Sequence, residues 1–229
     1  MNSANFLPGP IAPGEIVTIF GDGLGPDQAV FYQVVNDQFT TSLAGVRILF
    51  NGEAAPMVGA VRGQASAIVP YSVLNGPVSV QAEYLGQRTP ALLVPFAVTS
   101  PAIFSLNESG RGQGAVLNQD NSVNGPDRRA AKGSVIQIFA TGEGQTEPSG
   151  ISGLLAVGDV LPKPLAQVSV TIGGIPATLQ YWGAAPGLVA GVIQVNAYVP
   201  LNVASGSSIP ITLQFGAATA PPGITVAIQ

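Results

Sequence analysis

Pro13-Gly-Glu-Ile-Val-Thr-Ile-Phe-Gly-Asp-Gly-Leu-Gly-Pro26 and Lys132-Gly-Ser-Val-Ile-Gln-Ile-Phe-Ala-Thr-Gly-Glu-Gly-Gln145 align without gaps. They share Gly14/Gly133, Ile19/Ile138, Phe20/Phe139, Gly23/Gly142 and Gly25/Gly144, five positions of fourteen. Two more blocks follow in the same order. Leu43-Ala-Gly-Val-Arg-Ile-Leu-Phe-Asn-Gly52 pairs with Leu165-Ala-Gln-Val-Ser-Val-Thr-Ile-Gly-Gly174, and Gln64-Ala-Ser-Ala-Ile-Val-Pro70 pairs with Gln194-Val-Asn-Ala-Tyr-Val-Pro200. The offset grows from 119 to 122 to 130, so insertions fall in connections and the periodic blocks stay intact, as in a duplicated domain with variable loops.

Each block reads as a strand. Val168, Val170 and Ile172 alternate with Ser and Thr, while Ile16, Val17, Ile19 and Phe20 are nearly continuous. Phe20 and Phe139, at matching positions, are expected in the core. Gly21-Asp22-Gly23 and Thr141-Gly142 end the first strands, and Asn51-Gly52 and Gly173-Gly174 are two-residue hairpin signals. Six or seven such runs per copy predict an all-β chain of two tandem immunoglobulin-like β-sandwich domains. The boundary is placed at Thr99-Ser100-Pro101, giving units 3–99 and 100–229 with a contact face that could be apolar. The second copy's extra length lies in Leu106 to Ala131, which holds one short strand candidate, Gly114 to Asn118.

Composition narrows the chemistry. In 229 residues, Gly (29) and Pro (20) punctuate too often for long helices, and charged residues are 9% against roughly 25% in an average soluble protein. With no Cys and no His, the chain has no disulfide, no thiolate or imidazole zinc site and no Ser-His-Asp triad. Net charge is −4 with eight basic residues, too few for phosphate neutralisation, so nucleic acid is not an expected partner. Pro164 to Gln229 carries no charge, yet Gly and Pro break it and polar residues alternate through it, which argues for strands and against membrane insertion. Residues 1–30 lack a basic n-region and an unbroken apolar h-region. No Ser-x-x-Lys or Gly-x-Ser-x-Gly elbow nominates a nucleophile, and the chain is expected not to be an enzyme.

The order Pro-Gly-x-x-Val-Thr-Ile-x-Gly-x-Gly-Leu, a Val-x-Ile-x-Phe-Asn-Gly hairpin, Ala-Ile-Val-Pro, then Asn-Gly-Pro-Val-Ser-Val resembles the TIG/IPT branch of immunoglobulin-like domains over residues 13–80. With Ser100-Pro-Ala-Ile-Phe-Ser105, Leu117-Asn-Gln-Asp120, Ala140-Thr-Gly142 and Gln194-Val-Asn196, nearly the whole chain resembles an uncharacterised C-terminal module of large secreted proteins of Acidobacteria. The resemblance implies an exported modular protein of which this is one end, located outside the cell or at its surface. It supplies no catalytic residue.

Three local patterns are candidate sites. Asp120, Ser122 and Asn124, followed by Gly125, open like a calcium loop, although Ala131 stands where the bidentate Glu belongs. An ordinary turn has the same composition, so calcium is the one cofactor to consider and none is required. Tyr181 and Trp182, beside the Gly183–Gly187 loop, are the best place for stacking on a sugar ring, with a core aromatic as the plain alternative. Asp22 and Asp27 and their counterparts Glu143 and Glu147 read as solvated loop acids. Arg111, Arg128, Arg129 and Lys132 concentrate half of the basic residues and read as a solvated loop.

The function expected is a noncatalytic extracellular structural or interaction module at the C-terminal end of a secreted or surface protein, serving as spacer, adhesion or anchoring unit. The alternative is a carbohydrate-binding module. Partners are a protein or a polysaccharide at the cell exterior.

Overall fold

The computed structural model describes residues 1–229, and every regular element in it is a strand. Copy one contributes β1 (Ile16–Phe20), β2 (Val30–Phe31), β3 (Val34–Val35), β4 (Gln38–Phe39), β5 (Val46–Phe50), β6 (Glu53–Ala54), β7 (Met57–Val61), β8 (Gln64–Ile68), β9 (Val78–Tyr84), β10 (Gln87–Arg88) and β11 (Leu92–Val94). One sheet runs β1-β8-β7-β2 and the other β10-β9-β5-β6, with β11 also on β9. Val17, Met57, Ala65 and Ala67 from the first sheet pack with Val46, Ile48, Phe50 and Val80 from the second in one buried cluster, so the sheets face each other as a sandwich.

Copy two repeats this with β12 (Ala102–Ile103), β13 (Gly112–Gln113), β14 (Val116–Leu117), β15 (Val135–Thr141), β16 (Thr146–Glu147), β17 (Lys163–Pro164), β18 (Val168–Ile172), β19 (Ile175–Ala177), β20 (Leu179–Ala184), β21 (Ile193–Tyr198), β22 (Gly206–Phe215), β23 (Ala218–Thr219) and β24 (Ile224–Ile228). Its sheets run β12-β15-β21-β20, with β14 on β15, and β13-β24-β22-β18-β19, with β23 on β22. The aligned sequence blocks are β1/β15, β5/β18 and β8/β21.

In both copies the chain crosses between sheets in the same order. A leading segment also pairs in parallel with the last strand, Ile11 with Phe96 and Ala130 with Ile228. Two antiparallel sheets with this alternation are immunoglobulin-like sandwiches in tandem. The hairpin signals act as expected: Asn51 and Gly52 have φ of 51° and 85°, and Gly173 and Gly174 have 60° and 80°, which a type I′ turn requires.

One expectation fails. Phe20 is half exposed and Phe139 lies on the outer face of its sheet, half-buried. Side chains alternate across a strand, and it is Val17 and Ile19, with Ile136 and Ile138, that point inward. A nearly continuous apolar run does not reveal which parity faces the core.

Candidate functional site

The joint between the sandwiches brings buried side chains of both copies together. Ile16, Phe39 and Ile68 of copy one form a buried cluster with Val189 of copy two, flanked by Val58, Phe104, Leu155 and Val192. Backbone pairing crosses the joint: Phe39 N–H donates to the Gly153 carbonyl at 2.8 Å and Leu155 N–H to the Asp37 carbonyl at 2.8 Å. Ile16 N–H donates to Thr141 Oγ1 at 2.9 Å. The loop between Glu147 and Lys163 thus extends a small ladder onto β4. All three ion pairs of the molecule lie within copy one, so the joint holds without one.

At its centre Tyr71 Oη donates to Glu143 Oε1 at 2.5 Å. Copy two holds Tyr71 at two further points: Tyr71 N–H donates to Ser152 Oγ at 3.1 Å, and Gln145 Nε2 donates to the Tyr71 carbonyl at 2.7 Å. Glu143 is completely buried, and its Oε2 has no hydrogen-bond partner. Desolvation pushes its carboxyl up to about 7 against the bond from Tyr71, and burial together with Glu143 pushes the Tyr71 hydroxyl well above its usual range. Gly14 is required here. A Cβ on it would stand 2.5 Å from Glu143 Oε1 and 2.7 Å from Tyr71 Oη, and its φ is +74°.

A second buried acid lies on the other side of the joint. Glu15 Oε2 accepts from Ala12 N–H at 2.8 Å, and desolvation pushes this carboxyl also up to about 7, opposed by Ala12, Asn2 and Ser100. The joint therefore contains two carboxyls that hold protons near neutrality, one from each copy. Glu143 meets the Tyr71 hydroxyl and Glu15 the Ala12 backbone, and neither is hydrogen-bonded to a second carboxylate.

Glu143 is thus not the solvated loop acid its sequence position suggests, whereas Asp22, Asp27 and Glu147 are exposed. A signal was available. The aligned residue of copy one is Leu24, a core side chain, and an acid at a core position marks a surface that acquired a new partner. Tyr71 had no such signal.

Asp120 and Ser122 form a tight exposed turn, with Ser122 N–H and Oγ both donating to Asp120 Oδ1 at 3.0 and 2.6 Å. Those bonds hold the Asp120 carboxyl below its usual range. Asn124 points elsewhere: it is fully buried, donates to Asn118 Oδ1 and to the Ala227 carbonyl, and accepts from Ala227 N–H and Gln113 Nε2. Its polar atoms are committed to sealing the sandwich, and the three residues do not converge. No group of three Asp or Glu side chains gathers anywhere.

Tyr181 and Trp182 are adjacent on β20 and face opposite ways. Trp182 pairs across from Val195 and packs against the core with Lys163 Nζ 5.3 Å over its ring. Tyr181 faces outward beside Asn196 and Gln137, its hydroxyl donating to the Ala184 carbonyl at 2.6 Å. The structure does not bring the two rings onto one platform. Arg111, Arg128, Arg129 and Lys132 make no ion pair.

No protein-family model matches the chain, and no curated protein matches it. Among solved structures it is similar to the crystal structure of the I9-I11 tandem from titin, at 10% identity and a TM-score of 0.23, with all of this chain and 65% of that chain covered. The chain thus spans just under two thirds of that structure's length, and the two-sandwich architecture stands on the strand pairing described above.

Proposed function

We propose that this chain is a noncatalytic structural and interaction module of the TIG/IPT type, working outside the cell at the C-terminal end of a larger secreted or surface protein, with residues 3–99 and 100–229 as its two units. The joint carries this reading. A flexible tandem needs only a linker, whereas here an apolar cluster, crossing backbone bonds and a buried Tyr71–Glu143 pair fix one sandwich on the other, as a rigid spacer or presenting arm requires. The lack of Cys and His, the neutral stretch from Pro164 onward and the sequence resemblance support the extracellular setting, with protein or polysaccharide as partner. Residual dipolar couplings test the core of the proposal. One alignment tensor for both sandwiches is expected, and two independent tensors would overturn it.

Carbohydrate binding is a second reading, favoured by the outer face of β15, β20 and β21. Gln137, Asn196 and Tyr181 form one row there, and Gln194 donates to both Gln137 and Asn196. Amides beside a half-buried aromatic ring suit polyhydroxyl ligands. A polysaccharide panel scored by titration calorimetry, repeated with Tyr181→Ala, decides it. Binding lost in the variant supports this reading, and indifference to every polymer removes it. Calcium titration calorimetry at the Asp120 turn tests the one cofactor the sequence suggests.

A further inference from the structure

The buried acid of copy two is covered by copy one. Tyr71 and Gly14 of copy one stand against the Glu143 carboxyl, so parting the sandwiches admits water to it while each fold stays intact. One of its oxygens accepts the bond from Tyr71, and the other has no partner. A carboxyl so placed is tolerated neutral, whereas a buried carboxylate needs a cation or several donors.

The joint supplies neither. Tyr71 is the one titratable group in contact with Glu143, and the amide of Gln145, two residues on, is committed to the Tyr71 carbonyl. The segments packed around them, residues 70–75, 98–101, 149–155 and 187–192, carry no Asp, Glu, Lys or Arg. Glu15 turns its carboxyl to Ala12 N–H of its own copy, and Asp37 and Glu147 are exposed. The joint is also the weakest apolar unit of the molecule. Its cluster holds 4 buried residues, against 17 and 21 in the two sandwich cores, so a free-energy penalty placed there opens the joint before it unfolds either sandwich.

We propose that Glu143 is a pH-sensitive latch: protonated, it holds the two sandwiches in one fixed orientation, and on losing its proton it releases them to move about the Thr99-Ser100-Pro101 linker. This latch deepens the rigid-joint reading and rests on it, since only a docked pair can be released. Burial holds the carboxyl at about 7 in the docked chain, against 4.5 for the exposed group. The ratio of open to docked chains should therefore rise by up to about tenfold per pH unit between those values and level off above them.

Residual dipolar couplings of the full chain at about pH 5 and about pH 8.5 test the latch. One alignment tensor for both sandwiches is expected at the lower pH and two at the higher. Glu143→Gln keeps an acceptor for Tyr71 and has no charge to gain, so it should hold one tensor at both. In the wild-type chain the carbon-13 shift of the Glu143 carboxyl should titrate in step with the change of tensors, a readout that needs no variant. A single wild-type tensor at both pH values, or a Glu143→Gln chain that opens as the wild type does, would overturn the latch and leave the rigid joint at low pH standing. Two wild-type tensors already at about pH 5 would overturn the rigid joint, and the latch with it.

Discussion

The two sandwiches share strand order, hairpin turns and the parallel pairing of Ile11 with Phe96 and Ala130 with Ile228, yet the segments that lead into their first matching strands differ. In copy two, residues 112–130 fold back over both sheet edges. β13 adds to β24, β14 adds to β15, and Asn124 binds the backbone of Ala227 from within the core. In copy one residues 1–3 pair with the edge of β1 at Ile16 to Thr18. The duplication preserved what makes a sandwich and left the closure of its edge to a segment that each copy solved separately.

The largest expected effect breaks the sealed copy. Asn124→Leu keeps the side-chain volume close but strips partners from Ala227 N–H and carbonyl, Gln113 and Asn118, all at a fully buried position. Unsatisfied buried groups cost about 1–3 kcal/mol each, so a loss of roughly 4–6 kcal/mol is expected in urea unfolding. Copy one offers the contrast: Pro8→Ala, on its exposed leading segment, should change stability by less than about 0.5 kcal/mol. Equal losses at the two positions would show that Asn124 is not what closes copy two.

The joint sharpens the comparison through its acids. Glu15 aligns with Ser134 and Glu143 with Leu24, so each copy carries a buried carboxyl only at the end that meets the other. Both carboxyls sit at about 7, raised from 4.5 by burial. A carboxyl raised in the folded state contributes stability that is fully present below its unfolded value and is lost as pH rises through the folded one. Stability should therefore fall between about pH 4.5 and 7 and level off above, by on the order of 3 kcal/mol for each group. Chemical denaturation across that range checks it. Glu143→Gln should keep the bond from Tyr71 and remove about half of the slope, and a flat profile in the wild-type chain would mean these carboxyls are not buried in solution.

Much of this architecture was legible in the sequence, because strand periodicity, Asn51-Gly52 and Gly173-Gly174 report local geometry that each segment fixes alone. The repeat added the pairing of equivalent strands. What stayed hidden is what depends on a surface meeting another surface. The run Ile16-Val17-Thr18-Ile19-Phe20 is apolar on both faces because one face serves the core and the other meets the joint at Ile16, leaving Phe20 half exposed. Asp120, Ser122 and Asn124 carry the oxygen ligands of a cation loop, yet Asn124 is turned inward by the need to satisfy Ala227. Tyr181 and Trp182 look like one aromatic pair in sequence and are divided by strand pleating. Glu143 reads as a loop acid because nothing local records that Tyr71, 72 residues earlier, covers it.

The smallest expected effect sets a buried strand position of copy two against an exposed one of copy one. Val116→Ala removes two methyl groups from a position buried in the copy-two core, where large-to-small changes lose transfer energy and leave a cavity, so a loss of about 2 kcal/mol is expected. Leu92→Ala removes more carbon, but that side chain is mostly exposed, and the change should stay within about 0.5 kcal/mol. Thermal melts of both variants measure the difference directly, and equal losses would show that burial in the sandwich does not set the cost at these two positions.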